Sequence, residues 1–250
     1  MPPPRPPAGI AVTATALLLA GCASSPESVT TESAPAALGE VTMQLPWILN
    51  SQFIGEYLAV DEGYFAEAGL EGVNLVPGPS SGVSEVLSGS ADLAMTDAMT
   101  VGTIVANEDA PLKIIASTYQ KNPYSILSLD TDEAIRTPED LIGKKIGVQD
   151  VNMLLFNALL TANDISPEEV EIVPVGYDPS PLILGEVDGY MSFLTNESVL
   201  VRAEGHEAVD MAFADNGLPF VADAIIATDE MIASNREALK AYLGVAVHGY

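Results

Sequence analysis

The chain reads as an α/β protein built from two similar halves. Three observations lead there. Short apolar runs with strand character alternate with amphipathic helical stretches, the pattern of parallel sheets covered by helices. The order strand, helix, strand, turn, short helix, strand occurs twice. Gly89 and Asp92 in "GSADLAMTDA" match Gly185 and Asp188 in "GEVDGYMSFLTNE" at a constant offset of 96 residues.

In the first half, "EVTMQLPW" alternates apolar positions at Val41, Met43 and Leu45 and reads as a strand. "SQFIGEYLAVDEGYFAEAGL" places Phe53, Ile54, Tyr57, Leu58 and Phe65 at helical spacing, with Gly69 as the stop. "GVNLVP" is a strand, "GPSSG" a turn, "VSEVLSG" a short helix and "ADLAMT" a strand. The second half repeats this with "KKIGVQ", "NMLLFNALLTAND", "VEIVPV", "GYDPSP", "LILGE" and "VDGYMSFL".

Composition narrows the function. The 250 residues are 48% hydrophobic, enough for a sizeable core. Thirty-five acidic residues against nine Lys and Arg give a formal charge of −26, a field that repels nucleic acid and anionic lipid. One cysteine, Cys22, precludes an internal disulfide. Two histidines and no C-x-x-C or H-E-x-x-H give no expectation of a metal site. No cofactor is expected.

The first residues, "MPPPRPPAGIAVTATALLLAGC", hold an apolar run too short to span a bilayer. It resembles a secretory signal, and "LAGC" matches the bacterial lipobox, in which the chain is cut before the cysteine and its sulfur is lipidated. The expectation is a signal over residues 1–21, a lipid on Cys22, and a Ser-, Thr- and Pro-rich tether over residues 22–40. The folded body then lies outside the cytoplasm, beside the membrane.

Ligands in open α/β sheets sit beyond the C-terminal ends of the strands. In this sequence those ends carry polar or aromatic residues: Trp47, Asn50 and Gln52; Ser80 and Ser81; Thr96 and Asp97; Gln149 and Asn152; Tyr177 and Asp178; Thr195, Asn196 and Glu197. Each also has a structural reading. Trp47 suits a core, Ser80 and Ser81 a helix cap, Asp178 before Pro179 a turn, and Asn196 and Glu197 a cap on "ESVLVRAEG".

"YLAVDEGYFAEAGL", "VLSGSADLAMTDA", "TPEDLIGKKIGVQ" and "GYDPSPLILGEVDGYMSFLTNE" together resemble the solute-binding lipoproteins of ABC importers, with the type-2 periplasmic-binding fold. The last stretch looks most like the branch that binds thiamine-pyrimidine precursors, beside the nitrate, sulfonate and taurine proteins. The resemblance implies two Rossmann-like lobes around a ligand cleft, one over residues 41–124 and 222–250, the other over 125–221. It implies hinges near Tyr124 and Pro219, no enzymatic activity, and an ABC permease as membrane partner. Family members usually continue for several more helices, so a chain truncated at its C-terminus is expected. Pyrimidine-building enzymes of the family carry a cysteine-rich iron motif, and here the single cysteine belongs to the lipobox.

The lining expected of such a cleft selects the ligand class. Trp47, Tyr119, Tyr124, Tyr177 and Phe193 can stack on a flat ring. Asn50, Gln52 and Asn196 both donate and accept, and Asp97, Asp178 and Glu197 accept from amino groups or a cation. No Arg pair stands at a strand end to clamp a sulfonate, although helix N–H groups after "GPSSG" could hold an anion. An aminopyrimidine-like ring is the favoured ligand; riboflavin-like and other planar nutrients stay open. Two rivals remain. "GPSSG" fits the G-x-S-x-G nucleophile elbow of an α/β-hydrolase, with Ser80 as nucleophile and His206 as its base. A surface lipoprotein outside transport would bind no small ligand.

Overall fold

The computed structural model describes residues 37–248, so the expected signal, Cys22 and most of the tether lie outside the described residues. The helical elements are α1 (Ile54–Asp61), α2 (Tyr64–Glu67), α3 (Val83–Ser88), α4 (Ala98–Glu108), α5 (Met153–Ala162), α6 (Ser180–Ile183), α7 (Glu197–Ala203), α8 (Asp229–Ser234) and α9 (Arg236–His248). The strands of the first sheet are β1 (Glu40–Gln44), β2 (Gly72–Val76), β3 (Leu93–Thr96), β4 (Leu112–Ser117) and β10 (Ala224–Thr228). Those of the second are β5 (Tyr124–Leu129), β6 (Lys145–Val148), β7 (Glu171–Pro174), β8 (Gly189–Phe193) and β9 (Ala208–Ala212).

The two sheets have the same plan. The first runs β2-β1-β3-β10-β4 and the second β7-β6-β8-β5-β9. In each, four strands run in one direction and the fifth inserts antiparallel to both of its neighbours: β10 between β3 and β4, β5 between β8 and β9. The chain passes between sheets twice, from β4 to β5 and from β9 to β10.

The duplicated Gly-x-x-Asp has one structural job in both halves. Gly89 and Gly185 turn the chain at φ +74° and +71°, a region open to glycine at no steric cost. Three residues on, Asp92 exchanges two hydrogen bonds with Thr42: its Oδ2 accepts from the Thr42 N–H at 2.8 Å, and its own N–H donates to the Thr42 carbonyl at 2.9 Å. Asp188 does the same with Lys145, at 2.8 Å in each direction. The motif ties β3 to β1 in the first sheet and β8 to β6 in the second.

Each sheet carries its own core. Val41, Met43, Leu45, Phe53, Phe65, Leu93, Met95 and Tyr242 fill the first; Ile126, Ile146, Val148, Phe156, Leu159, Leu160 and Phe213 fill the second. Burial of each such large apolar side chain contributes about 1.5–3 kcal/mol.

The long helix expected after β1 is divided. A 3₁₀ turn over Ser51–Phe53 leads into α1, and Gly63 at φ +76° separates α1 from α2. The buried face also differs from the spacing read in the sequence: α1 buries Gly55, Glu56 and Ala59, whereas Ile54 and Leu58 are exposed. Phe53 and Phe65, which flank the helix, supply the core contacts instead. No helix among the described residues is long and apolar enough to cross a membrane.

Candidate functional site

A cleft opens between the C-terminal ends of the parallel strands of the two sheets, with about 600 Å³ of free space including its mouth. Ten of the fifteen residues expected to bind ligand line it: Trp47, Gln52, Ser80, Ser81, Thr96 and Asp97 from the first half, and Tyr124, Gln149, Phe193 and Glu197 from the second. Asn152 is also on the wall.

The other five do not line it. Asn50 is a cap, its Oδ1 accepting from the Gln52 N–H at 2.8 Å. Asp178 closes a turn by accepting from the Ser180 N–H at 2.7 Å. Asn196 stands behind the wall and donates Nδ2 to Glu197 Oε1 at 2.8 Å. Tyr119 and Tyr177 bridge the halves: Tyr119 Oη shares a hydrogen bond with Thr195 Oγ1 at 3.0 Å, and Tyr177 meets Trp47 edge-on with ring centroids 4.9 Å apart. Phe193 packs nearly perpendicular to both Tyr119 and Tyr124, with ring centroids 5.4 and 4.9 Å away, so these three rings form one cluster at the cleft.

"TNE" at the end of β8 combines structural and lining roles. Glu197 is the first residue of α7, and its Oε2 accepts from the buried Phe193 N–H at 2.8 Å. With the Asn196 bond, both oxygens have a partner. Burial still raises its pKa above the ordinary value, against the lowering effect of those bonds. The helix is anchored further by Ser198, whose Oγ donates to Asp210 Oδ1; Asp210 in turn accepts from Ser125 and from Arg202. Asp97 is likewise occupied, because it caps α4 by accepting from the Thr100 N–H at 2.8 Å and from Thr100 Oγ1 at 2.6 Å.

"GPSSG" is explained by packing. A Cβ on Gly78 would fall 2.6 Å from the Pro46 carbonyl oxygen, and one on Gly82 would fall 2.3 Å from Ala94 Cβ at φ +70°. Between them Ser80 Oγ donates to Glu85 Oε1 at 2.8 Å and accepts from the Gly82 N–H at 3.0 Å. The hydroxyl of the elbow reading is thus paired with a carboxylate, while His206 sits in the connection between α7 and β9.

Sequence reasoning missed Pro46, Thr100, Val151, Met191, Ser192 and Asp223 on the wall. Asp223 is the most consequential. It is only 3% exposed, and its Oδ2 accepts from Gln52 Nε2 at 2.9 Å. Its pKa is raised to about 7, chiefly by burial; the Gln52 bond opposes the rise, and the Glu56 and Asp97 carboxylates add to it. Asp223 precedes a strand, whereas the sequence pattern marks residues beyond the C-terminal ends of strands. Because β10 runs antiparallel to β3, pairing Ala224 with Thr96, the residue before β10 arrives at that same end. The usable signal was an isolated acid just ahead of the apolar run "AIIA".

Three carboxylates therefore line the cleft, and no Lys, Arg or His does among the described residues. Such a wall suits a flat ring with N–H donors and offers no cationic side chain to an anion.

Comparison with known proteins agrees with this architecture. The formylaminopyrimidine-binding protein of Halalkalibacterium halodurans is 25% identical over 94% of this chain and 71% of its own length. The riboflavin-binding protein RibY of Chloroflexus aurantiacus is 25% identical over 93% of this chain and 70% of its own length. The periplasmic aliphatic sulphonate-binding protein SsuA of Escherichia coli superposes with a TM-score of 0.65 at 16% identity, over 86% of this chain and 73% of that one, a likeness of fold. The family model described as NMT1/THI5 like matches residues 50–250, and the chain belongs to that family.

Proposed function

We propose that this chain is an extracytoplasmic solute-binding protein that captures a small heteroaromatic nutrient of the aminopyrimidine type and delivers it to an ABC importer. The carrying observation is the wall of the cleft: Trp47, Tyr124 and Phe193 offer ring faces or edges, three carboxylates offer acceptors, and no basic side chain is among the lining residues. Two relatives of the chain are named for heteroaromatic ligands, a formylaminopyrimidine and riboflavin. The sulfonate protein supports the fold alone, and its ligand class is disfavoured here by the charge of the wall.

The clamp acts by closure. Residues 41–124 with 222–250 move as one lobe against residues 125–221, pivoting where the chain passes between the sheets near Tyr124 and Pro219. Trp47 with Tyr177, and Tyr119 with Thr195, are contacts between the halves that such a motion makes and breaks. Cys22 carries the lipid that keeps the protein beside its permease. The chain is a binding protein and not an enzyme, and the relatives named above are likewise binding proteins.

Native mass spectrometry of protein purified from its own cells, followed by calorimetric titration, tests this. A bound planar N-heterocycle, and saturable binding of formylaminopyrimidine or riboflavin, are expected. Retention of an alkanesulfonate, or of no small molecule, would overturn the reading; the latter is what a surface lipoprotein outside transport predicts.

A further inference from the structure

The carboxylates on the cleft wall differ in what they have left to offer. Asp97 spends both oxygens on Thr100, and Glu197 has one partner on each of its own. Asp223 accepts one hydrogen bond, at Oδ2 from Gln52; its Oδ1 takes none from the described residues and is not sealed away from the cleft that the residue lines. A carboxylate buried to this degree is stable as an anion only if further donors reach it. No described residue besides Gln52 makes a hydrogen bond to the carboxylate. Glu56 on α1 and Asp97 at the start of α4 are acidic and repel it. Tyr119 and the buried Tyr124 have pKa values raised by burial, with the Asp223 charge adding to the rise in each.

We infer that Asp223 is a specificity-determining residue of the cleft, whose Oδ1 takes an N–H of the ligand and completes the pair begun by Gln52. This rests on the function proposed above and deepens it: the ligand must bring an N–H donor to the first lobe, and it binds the ionised carboxylate. Since this group holds a proton up to about pH 7 in the empty site, ligand entry displaces that proton below neutrality. Affinity therefore rises with pH through that value and levels off above it.

The test is calorimetric titration of the full chain with formylaminopyrimidine from pH 6 to pH 8, in paired buffers of different ionisation enthalpy. Protonation of the probe is titrated separately and subtracted. Affinity should fall about tenfold from pH 8 to pH 6, with close to one proton released per ligand at pH 6 and close to none at pH 8. Asp223→Asn should bind at least about tenfold more weakly at pH 8, with a flat profile. Intact binding with a flat wild-type profile would overturn the inference while leaving the proposed function standing, as would Asp223→Asn keeping the wild-type profile. If Asp223→Asn does not fold, the wild-type profile decides alone. Failure of the wild-type protein to bind formylaminopyrimidine at any pH, with riboflavin also failing, would overturn both readings.

Discussion

Gln52 and Asp223 lie 171 residues apart in the chain and meet at 2.9 Å on the wall of the cleft, at the edge of the first sheet. One stands in the 3₁₀ turn after β1, and the other directly before the antiparallel strand β10. The bond joins the turn after β1 to the start of β10 at the cleft and leaves the other carboxylate oxygen without a hydrogen bond from the described residues.

This buried acid makes the free protein less stable as pH rises. Its folded pKa of about 7 lies above the ordinary 3.8, so between those values the folded state holds a proton that the unfolded state has lost. Stability from this group is greatest at low pH and falls through the window by up to about 1.4 kcal/mol per pH unit. Asp223→Asn should therefore raise the urea midpoint of ligand-free protein at pH 7.5 and change it little at pH 4. Equal midpoints of variant and wild type at pH 7.5 would contradict the assignment.

Removal of aromatic surface from the wall has two separable effects. Trp47→Ala should weaken formylaminopyrimidine binding by at least about tenfold, on the order of 1.4 kcal/mol. It should also cost stability by about 3–5 kcal/mol, because Trp47 is 8% exposed and belongs to the first core. Glu197→Ala should weaken binding similarly and leave the buried Phe193 N–H without its acceptor, at about 1–3 kcal/mol of stability. Calorimetry and denaturant titration of each variant read the two effects.

Gly82→Ala probes the packing account of "GPSSG". The new methyl would overlap Ala94 Cβ on β3, at a backbone angle that side chains disfavour. The expected loss is about 2 kcal/mol or more. A neutral effect in urea titration would show that the turn has room and reopen the question of why it carries two glycines.

How much of this was legible follows from the range of the interactions concerned. Gly89, Asp92, Gly185 and Asp188 stood out because their demand is local, a positive φ and an acid three residues later, met twice in one order. The strand-end residues Trp47, Thr96, Gln149 and Glu197 were legible because the ends of parallel strands share one edge of a sheet. Asp223 was hidden, since its place depends on β10 returning antiparallel from the far half of the chain. Asn50 and Asp178 have side chains that also cap and turn backbone, and that local use wins at both, whereas Asn196 turns its amide to the neighbouring Glu197 carboxylate. Ile54 and Leu58 misled because helical spacing marks an apolar stripe without saying whether the adjoining face, with the small residues Gly55 and Ala59, will turn inward instead.

The proposed anchor has its own check. Cys22 lies outside the described residues, and the lipobox "LAGC" is the ground for it. Cys22→Ser, expressed in a bacterial host with lipoprotein processing, should move the protein from the membrane fraction to the soluble extracytoplasmic fraction. Continued membrane attachment of the variant would refute the lipid.

Trp47 is the single tryptophan of the chain, and it stands on the cleft wall with Tyr177 against its edge. Fluorescence excited at the indole therefore reports from the place where the ring of a solute would lodge. The clamp proposed here predicts a saturable change at one ligand per chain on titration with formylaminopyrimidine or riboflavin, and none with an alkanesulfonate. An indole signal unmoved by any planar heterocycle, or one that saturates with the sulfonate, would contradict it.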